Sequence, residues 1–283
     1  MDYDLHSHST ASDGTLSPAQ LVALAADSGL RCLALTDHDT VAGLREALRC
    51  ARPTAVQLVP GVEISVTWNA QTIHVLGLHI DFDSPRLLEG LQGLQAFRSW
   101  RAQEIGRQLA RRGYADAYEQ AKALSNGVLI SRTHFAQYLV NCGAAKTIPE
   151  VFRRFLVKNK PGHVRGEWAS LQQAVDWIRH AGGVAVIAHP ARYKLSAARL
   201  MALIEEFQDC GGTGFEVVSG SHTDKENRKM AQYARRYQLY ASAGSDYHGA
   251  NSPWRRLGQM PALPDSVVPV WEADDWPVAV PSP

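Results

Sequence analysis

Short apolar runs alternate with helix-patterned stretches along almost the whole chain, and histidines or carboxylates stand near the ends of those runs. Tyr3-Asp4-Leu5-His6-Ser7-His8 reads as a strand. Ser17 then offers an N-cap and Pro18 a first helical position, so a helix is expected over 19–28, stopped by Gly29. Residues 31–36 read as a second strand and 41–50 as a second helix. Two further strands, 56–66 and 71–80, surround a turn at Trp68-Asn69-Ala70, and a long helix is expected from about 84 to 112. Strand patterns return at 183–189, 214–218 and 239–243, with helices between them. Repeated strand–helix units predict an α/β fold with a parallel sheet, open or closed into a barrel.

The stretch from about 114 to 164 breaks this rhythm, with helical segments and no convincing strand. It reads as a small helical insert on one barrel loop. The expected division is a barrel of 1–112 and 165–283 with an insert of 113–164. The tail after Gly249, rich in Pro and Trp, is expected to wrap the surface irregularly.

Bulk properties exclude several partners. A formal net charge of +1 provides no global field for nucleic acid, which argues against long duplex DNA. No run of about 18 apolar residues occurs, so no membrane span is expected. No signal-peptide pattern opens the chain, and Cys32, Cys50, Cys142 and Cys210 show no CxxC spacing. These features read as a cytoplasmic protein with reduced thiols and no obligate protein partner.

The placement of the histidines carries the chemistry. His6 and His8 lie two apart on a strand and share a face. Asp13 follows in a loop, His38 stands past the second strand, Glu63 lies in the third and His74 in the fourth. His189 closes the strand that starts at Gly183, and Asp246 and His248 follow the last one. Most of these positions fall at the C-terminal ends of strands, the face that carries the active site in β/α barrels. A lone histidine there is ordinarily structural, but nine ligand-type residues on successive strands are not a coincidence of core packing. Imidazole and carboxylate donors together suit Mn, Fe or Zn. Ions held close together can share a hydroxide, lower its pKa and clamp phosphoryl oxygens. Asp37 and Asp39, on either side of His38, read as carboxylates that orient His38 or its loop.

Asp4-Leu5-His6-Ser7-His8, Thr36-Asp37-His38-Asp39, Pro60-Gly61-Val62-Glu63, Ala188-His189-Pro190 and Gly244-Ser245-Asp246-Tyr247-His248 together resemble the PHP (polymerase and histidinol phosphatase) family. The resemblance implies a distorted (β/α)7 barrel related to amidohydrolases, with two or three divalent metals, manganese foremost. It implies a first metal on His6, His8, Glu63 and Asp246, a second on Glu63, His74 and His189, and a third on Asp13, His38 and His248. Many relatives have histidine where Asp13 stands. The run from Leu5 to Thr15 and the helical insert resemble a narrower subgroup that acts on nucleoside 3′,5′-bisphosphates and trims short RNA. That implies removal of the 3′-phosphate through attack of a metal-bridging hydroxide, giving the 5′-monophosphate. The alternatives are 5′→3′ hydrolysis of short 5′-phosphorylated RNA and cyclic phosphodiester hydrolysis. A non-enzymatic metal-binding module fits less well, because such domains tend to lose ligands.

A bisphosphate needs a second anion site beside the metals. Ser131, Arg132 and His134 lie near an expected helix start, where backbone N–H groups favour anions, and Lys160 and Arg165 follow in the same insert. Ser219 and His222 follow the 214–218 strand. His222 is a candidate proton donor to the leaving oxygen, and both are candidate phosphate contacts. His79 and His180 read as structural, and Trp68, Trp100, Trp168 and Trp177 as core, with base stacking the alternative for Trp168.

Overall fold

The fold is taken from a computed structural model that describes residues 2–125, 129–250, 256–273 and 276. Strands β1 (Tyr3–Asp4), β2 (Cys32–Leu35), β3 (Gln57–Trp68), β4 (Gln71–Leu78), β5 (Val184–Ile187), β6 (Gly214–Ser219) and β7 (Tyr240–Gly244) form one sheet in sequence order. The sheet closes between its edges. Leu5 N–H donates to the Ala243 carbonyl, His8 N–H to Tyr247 and Asp246 N–H to His6, each at 2.9 Å. The distorted (β/α)7 barrel expected from the sequence is therefore the fold observed.

Its distortion has a local cause. Asn69 and Ala70 both take positive φ, 45° and 59°, and make a two-residue hairpin turn. A parallel return would need a crossover of about a dozen residues. β4 thus runs antiparallel to both β3 and β5, while the other neighbouring pairs are parallel. β1 is shorter than the expected 3–8. Beyond Asp4, side chains add to the backbone bonds: the Asp4 carboxylate accepts Ser245 N–H at 2.8 Å, and the Thr36 hydroxyl accepts Ser7 N–H at 3.2 Å.

Alternation along β3 separates two cores. Leu58, Val62, Ile64 and Val66 face outward to helices, whereas Val59 belongs to the barrel lining with Leu5, Ala34, Leu76 and Val186. Helices α1 (Pro18–Asp27) and α2 (Leu44–Ala51) cover the first strands. α1 starts on the expected Ser17 cap, reciprocated by Gln20. Helix α3 (Pro85–Ala110) serves two cores. Leu87, Leu91 and Leu94 pack on the barrel, while Ala102, Ile105 and Leu109 join a separate cluster around Phe135, Leu139 and Leu156. That cluster also holds α4 (Ala117–Leu124), α5 (Arg132–Asn141) and α6 (Ile148–Val151), which runs into a π turn over Phe152–Leu156. Helices α7 (Leu171–His180), α8 (Ala197–Asp209) and α9 (Asp224–Arg236) complete the outer layer.

In its described part, the tail is irregular and lies mostly at the surface, as expected, but it is also anchored to the barrel. Ala241 N–H donates to Val268 at 2.7 Å, Val270 is buried against the barrel lining, and Trp271 stacks on Tyr3 at 4.1 Å. It caps the barrel end at the strand N-termini, because an open end would leave apolar lining in water. Among the described residues, no helix is long and apolar enough to cross a membrane, and all four cysteines are free.

Candidate active site

Sheet parity assembles the centre of the site. Glu63 and Ser65 share the inner face of β3, and Ser65 is paired with His74 of β4, so His74 points the same way. Because β4 runs in reverse, its first half lies at the rim where the parallel strands end. His74 Nδ1 accordingly lies 2.8 Å from Glu63 Oε1. His189 needs a different device. Val184, Val186 and Ala188 line the barrel, so simple alternation would send the next side chain outward. A left-handed backbone at His189, φ 30° and ψ 55°, turns it instead, and its Nε2 reaches Glu63 Oε1 at 3.0 Å. Asp246 also takes a positive φ, 53°. Both are uncommon conformations for residues other than glycine, and such outliers cluster at functional sites.

Glu63 is the hub. Its Oε2 lies 2.8 Å from His38 Nδ1, 3.2 Å from His8 Nε2 and 3.4 Å from His6 Nε2. Asp246 Oδ1 lies 3.4–3.6 Å from nitrogens of His6, His8 and His248. Asp13 Oδ1 lies 3.3 Å from His248 Nε2 and 3.8 Å from His38 Nε2. All nine sequence candidates thus converge. Their ligand atoms form four overlapping groups: His8, Asp13, His38 and His248; His6, Glu63 and His189; His6, His8 and Asp246; His38, Glu63 and His74.

The donor set fits divalent ions. His6 Nε2, His8 Nε2, Glu63 Oε2 and Asp13 Oδ1 are buried and lack a hydrogen-bond partner among the described residues. Burying such atoms unsatisfied is costly, and a shared cation satisfies them together. Electrostatics of the ion-free cluster agrees. Burial opposes a charged His6, but the carboxylates of Glu216, Glu63 and Asp246 outweigh it and raise its pKa well above the usual value. Burial likewise opposes charge on His8, yet the adjacent carboxylates of Asp246 and Glu63 lift it to about 9. Burial dominates at His38 and His189, which fall to about 4 and about 3 and so present neutral imidazoles at pH 7.

The surroundings hold this geometry. Asp37 accepts Ser9 N–H at 2.8 Å and bonds the hydroxyls of Ser9 and Ser12, anchoring the loop that carries Asp13. Asp39 accepts Ser65 N–H at 2.7 Å and Arg98 Nε at 2.6 Å, tying the His38 loop to β3 and α3. Sequence reasoning missed Glu216, whose Oε1 lies 3.0 Å from His6 Nδ1 and whose Oε2 accepts His189 N–H. Its signal was a carboxylate in the middle of the otherwise apolar Gly214–Val218 run. It also missed Tyr193, whose hydroxyl accepts His74 N–H at 2.8 Å, and Arg192, whose Nη1 lies 3.1 Å from Asp246 Oδ2. Gly244 is fixed by contact: a Cβ there would lie 2.2 Å from His6 Cβ and 2.8 Å from Glu216 Oε1.

Cationic groups adjoin the acidic centre. Ser131 caps α5 by accepting Thr133 N–H at 3.1 Å, and His134 Nδ1 accepts Ser131 N–H at 3.0 Å, leaving Nε2 to donate. Thr133 Oγ1 donates to Asp13 Oδ2 at 3.2 Å and links this turn to the centre. Burial, then Arg98 and Arg192, lowers the pKa of Arg132; burial, then Arg132 and Arg98, brings Arg101 to about 9. Arg101 and His163, whose pKa falls through burial, Arg101, Arg132 and Lys158, belong to this group and were not singled out from sequence. Lys160 and Arg165 are exposed, the latter beside the β3–β4 turn with Thr67 and Thr72. Ser219 is buried with its hydroxyl 3.2 Å from that of Ser221, and His222 Nε2 accepts Ala191 N–H at 3.3 Å.

The remaining aromatic residues are mostly structural. His79 packs on Trp276 at 4.4 Å, and His180 Nδ1 lies 2.8 Å from the Asp176 carbonyl near the end of α7. Trp168 carries the guanidinium groups of Arg98 and Arg101 at 4.9 and 5.3 Å. Trp100, expected in the core, is 47% exposed because it stands on the solvent side of α3.

Comparison with known proteins agrees with this geometry. Residues 4–185 match the model of the PHP domain. The chain is 44% identical over 269 residues to a 3′,5′-nucleoside bisphosphate phosphatase of Chromobacterium violaceum, covering 95% of this chain and 94% of the relative. It is 41% identical over 277 residues to the 5′-3′ exoribonuclease Rnm of Escherichia coli K12, covering 97% and 94%. Among solved structures, an amidohydrolase of Chromobacterium violaceum with bound sulfate superposes with a TM-score of 0.92 at 44% identity, covering 96% of this chain and 95% of that one. A Bifidobacterium adolescentis protein described as a metal-dependent phosphoesterase superposes at 0.80 and 28% identity, covering 93% of each. Barrel, donor cluster and relatives together define a metal-dependent phosphoesterase. The chain belongs to the PHP domain family.

Proposed function

We propose that this phosphoesterase removes the 3′-phosphate from nucleoside 3′,5′-bisphosphates, leaving the 5′-monophosphate. The observation that carries this reading is the juxtaposition of a cation-binding cluster and a basic group. One is the cluster around Glu63, and the other is the arginine and histidine group at the start of α5, joined to it through Thr133 and Asp13. The proposed metal ligands are His6, His8, Asp13, His38, Glu63, His74, His189, Asp246 and His248. Manganese is the favoured ion, with iron and zinc as alternatives. Divalent ions held there activate water as a nucleophile and neutralise charge on the phosphoryl oxygens.

The chain's own residues do the rest. Arg132, Arg101 and His134 bind the phosphate that is not cleaved, through charge-assisted bonds. Arg192, half exposed beside Asp246, meets the phosphate being cleaved. His222 accepts from Ala191 through Nε2, so its neutral ring carries the proton on Nδ1, a buried atom without a described partner. Donation to the leaving ribose oxygen requires the imidazolium form, in which Nε2 gives up its bond to Ala191. Ser219 supports the same loop, and Lys160 and Arg165 contact the distal part of the nucleotide. The C. violaceum relative at 44% identity, named for this reaction, supports the assignment.

A second reading is favoured by the E. coli relative: the same basic group would hold the 5′-phosphate of short RNA while the next phosphodiester is cut. Phosphate release from adenosine 3′,5′-bisphosphate, 5′-AMP, 3′-AMP and histidinol phosphate tests the first reading, and no preference for the bisphosphate would overturn it. Stepwise shortening of a 5′-phosphorylated oligoribonucleotide tests the second.

A further inference from the structure

We infer that Glu216 positions two of the proposed metal-ligating histidines at once, His6 through its tautomer and His189 through its backbone. The inference rests on the metal-centre reading above.

Glu216 lies on the inner face of β6, is fully buried, and uses both oxygens. Oε1 lies 3.0 Å from His6 Nδ1. An ionised carboxylate can only accept, so Nδ1 carries the proton in the neutral ring, and Nε2 is then the nitrogen with the lone pair. That Nε2 lies 3.4 Å from Glu63 Oε2 and 3.6 Å from Asp246 Oδ1, with no hydrogen-bond partner among the described residues. The ring is thereby presented to an ion with the correct nitrogen bare.

Oε2 accepts the backbone N–H of His189. This is the residue whose left-handed conformation, φ 30°, turns it from the outward side of β5 onto Glu63. A strained turn persists only where its surroundings hold it, and the Glu216 carboxylate is the group bonded to the strained amide. Only glycine fits beside this carboxylate at position 244, where a Cβ would stand 2.8 Å from Glu216 Oε1 and displace it. One carboxylate on β6 therefore sets ligands carried by the segments that follow β1 and β5.

Glu216→Gln separates this role from simple filling of space. The amide is nearly isosteric, but it has one acceptor oxygen for two donors. Its NH2 can face His6 Nδ1 only if the imidazole proton moves to Nε2, the atom needed by the ion. Calorimetric titration of the full-length chain with Mn2+ or Zn2+ should show binding at least about tenfold weaker in Glu216→Gln than in the wild type, with unchanged circular dichroism. Wild-type affinity in a folded Glu216→Gln protein overturns the inference. A wild-type chain that binds neither ion overturns the metal-centre reading instead. Should the variant fail to fold, long-range 15N–1H NMR of the zinc-loaded wild type decides alone. A proton on His6 Nδ1 is expected, and one absent from Nδ1 overturns the inference.

Discussion

Glu63 gathers nitrogens from five imidazoles within 3.4 Å and is fully buried. Its neighbours differ in what they bring at neutral pH: His8, lifted to about 9, holds a proton in the ion-free protein, while His38 and His189, at about 4 and about 3, do not. Ion entry must displace the His8 proton, so apparent metal affinity should rise with pH up to about 9. Titrations at pH 7 in buffers of different ionisation enthalpy should report proton release. The sign for stability is the opposite in the ion-free protein. A histidine raised from 6.5 to about 9 on folding stabilises the fold below its unfolded pKa, and that contribution is lost as pH climbs through 9. Chemical denaturation of the chelated protein between pH 7 and 9 should show the decline. At the same scale, His6→Ala and Asp246→Asn should nearly abolish turnover in steady-state assays by removing proposed ligands. Wild-type turnover in both would remove the metal assignment.

The first turn of α5 and the middle of α3 act as units. Arg132 and His134 flank Thr133, which holds Asp13, so one helix turn ties the basic group to the centre. Arg132→Ala should raise KM by more than it lowers kcat, because a contact made equally in ground and transition states changes binding alone. On α3, Arg98 is the buried cation of Asp39 and also donates to Ser65 Oγ at 2.9 Å. Arg98→Met should destabilise the fold by about 3–5 kcal/mol by leaving a buried carboxylate unpaired, read as a shift in urea midpoint. These elements were unevenly legible. The Ser17 cap, the Asn69-Ala70 turn and the strand pattern of β3 announce themselves locally. The side-chain bonds of Ser7 to Thr36 and of Ser245 to Asp4 do not, because each joins residues remote in sequence.

At the scale of the whole molecule, the centre joins β3 and β4 to the segments after β1, β2, β5 and β7, so ions held there would cross-link the barrel. Stripping metal with a chelator should lower Tm by about 10 °C, since a ligand at a thousandfold its Kd contributes about 4 kcal/mol. Scanning calorimetry with and without Mn2+ checks this. The tail shows a second long-range dependence, capping the barrel through Val270 and Trp271.

Periodicity alone called for an α/β sheet, and the placement of histidines and carboxylates pointed to one face of it, because both patterns are written in residues close along the chain. Closure of the sheet, reversal of His189 onto Glu63, and recruitment of Glu216, Arg101 and Arg192 were decided only in three dimensions. Each depends on a partner tens to hundreds of residues away, and no local propensity encodes where that partner will stand.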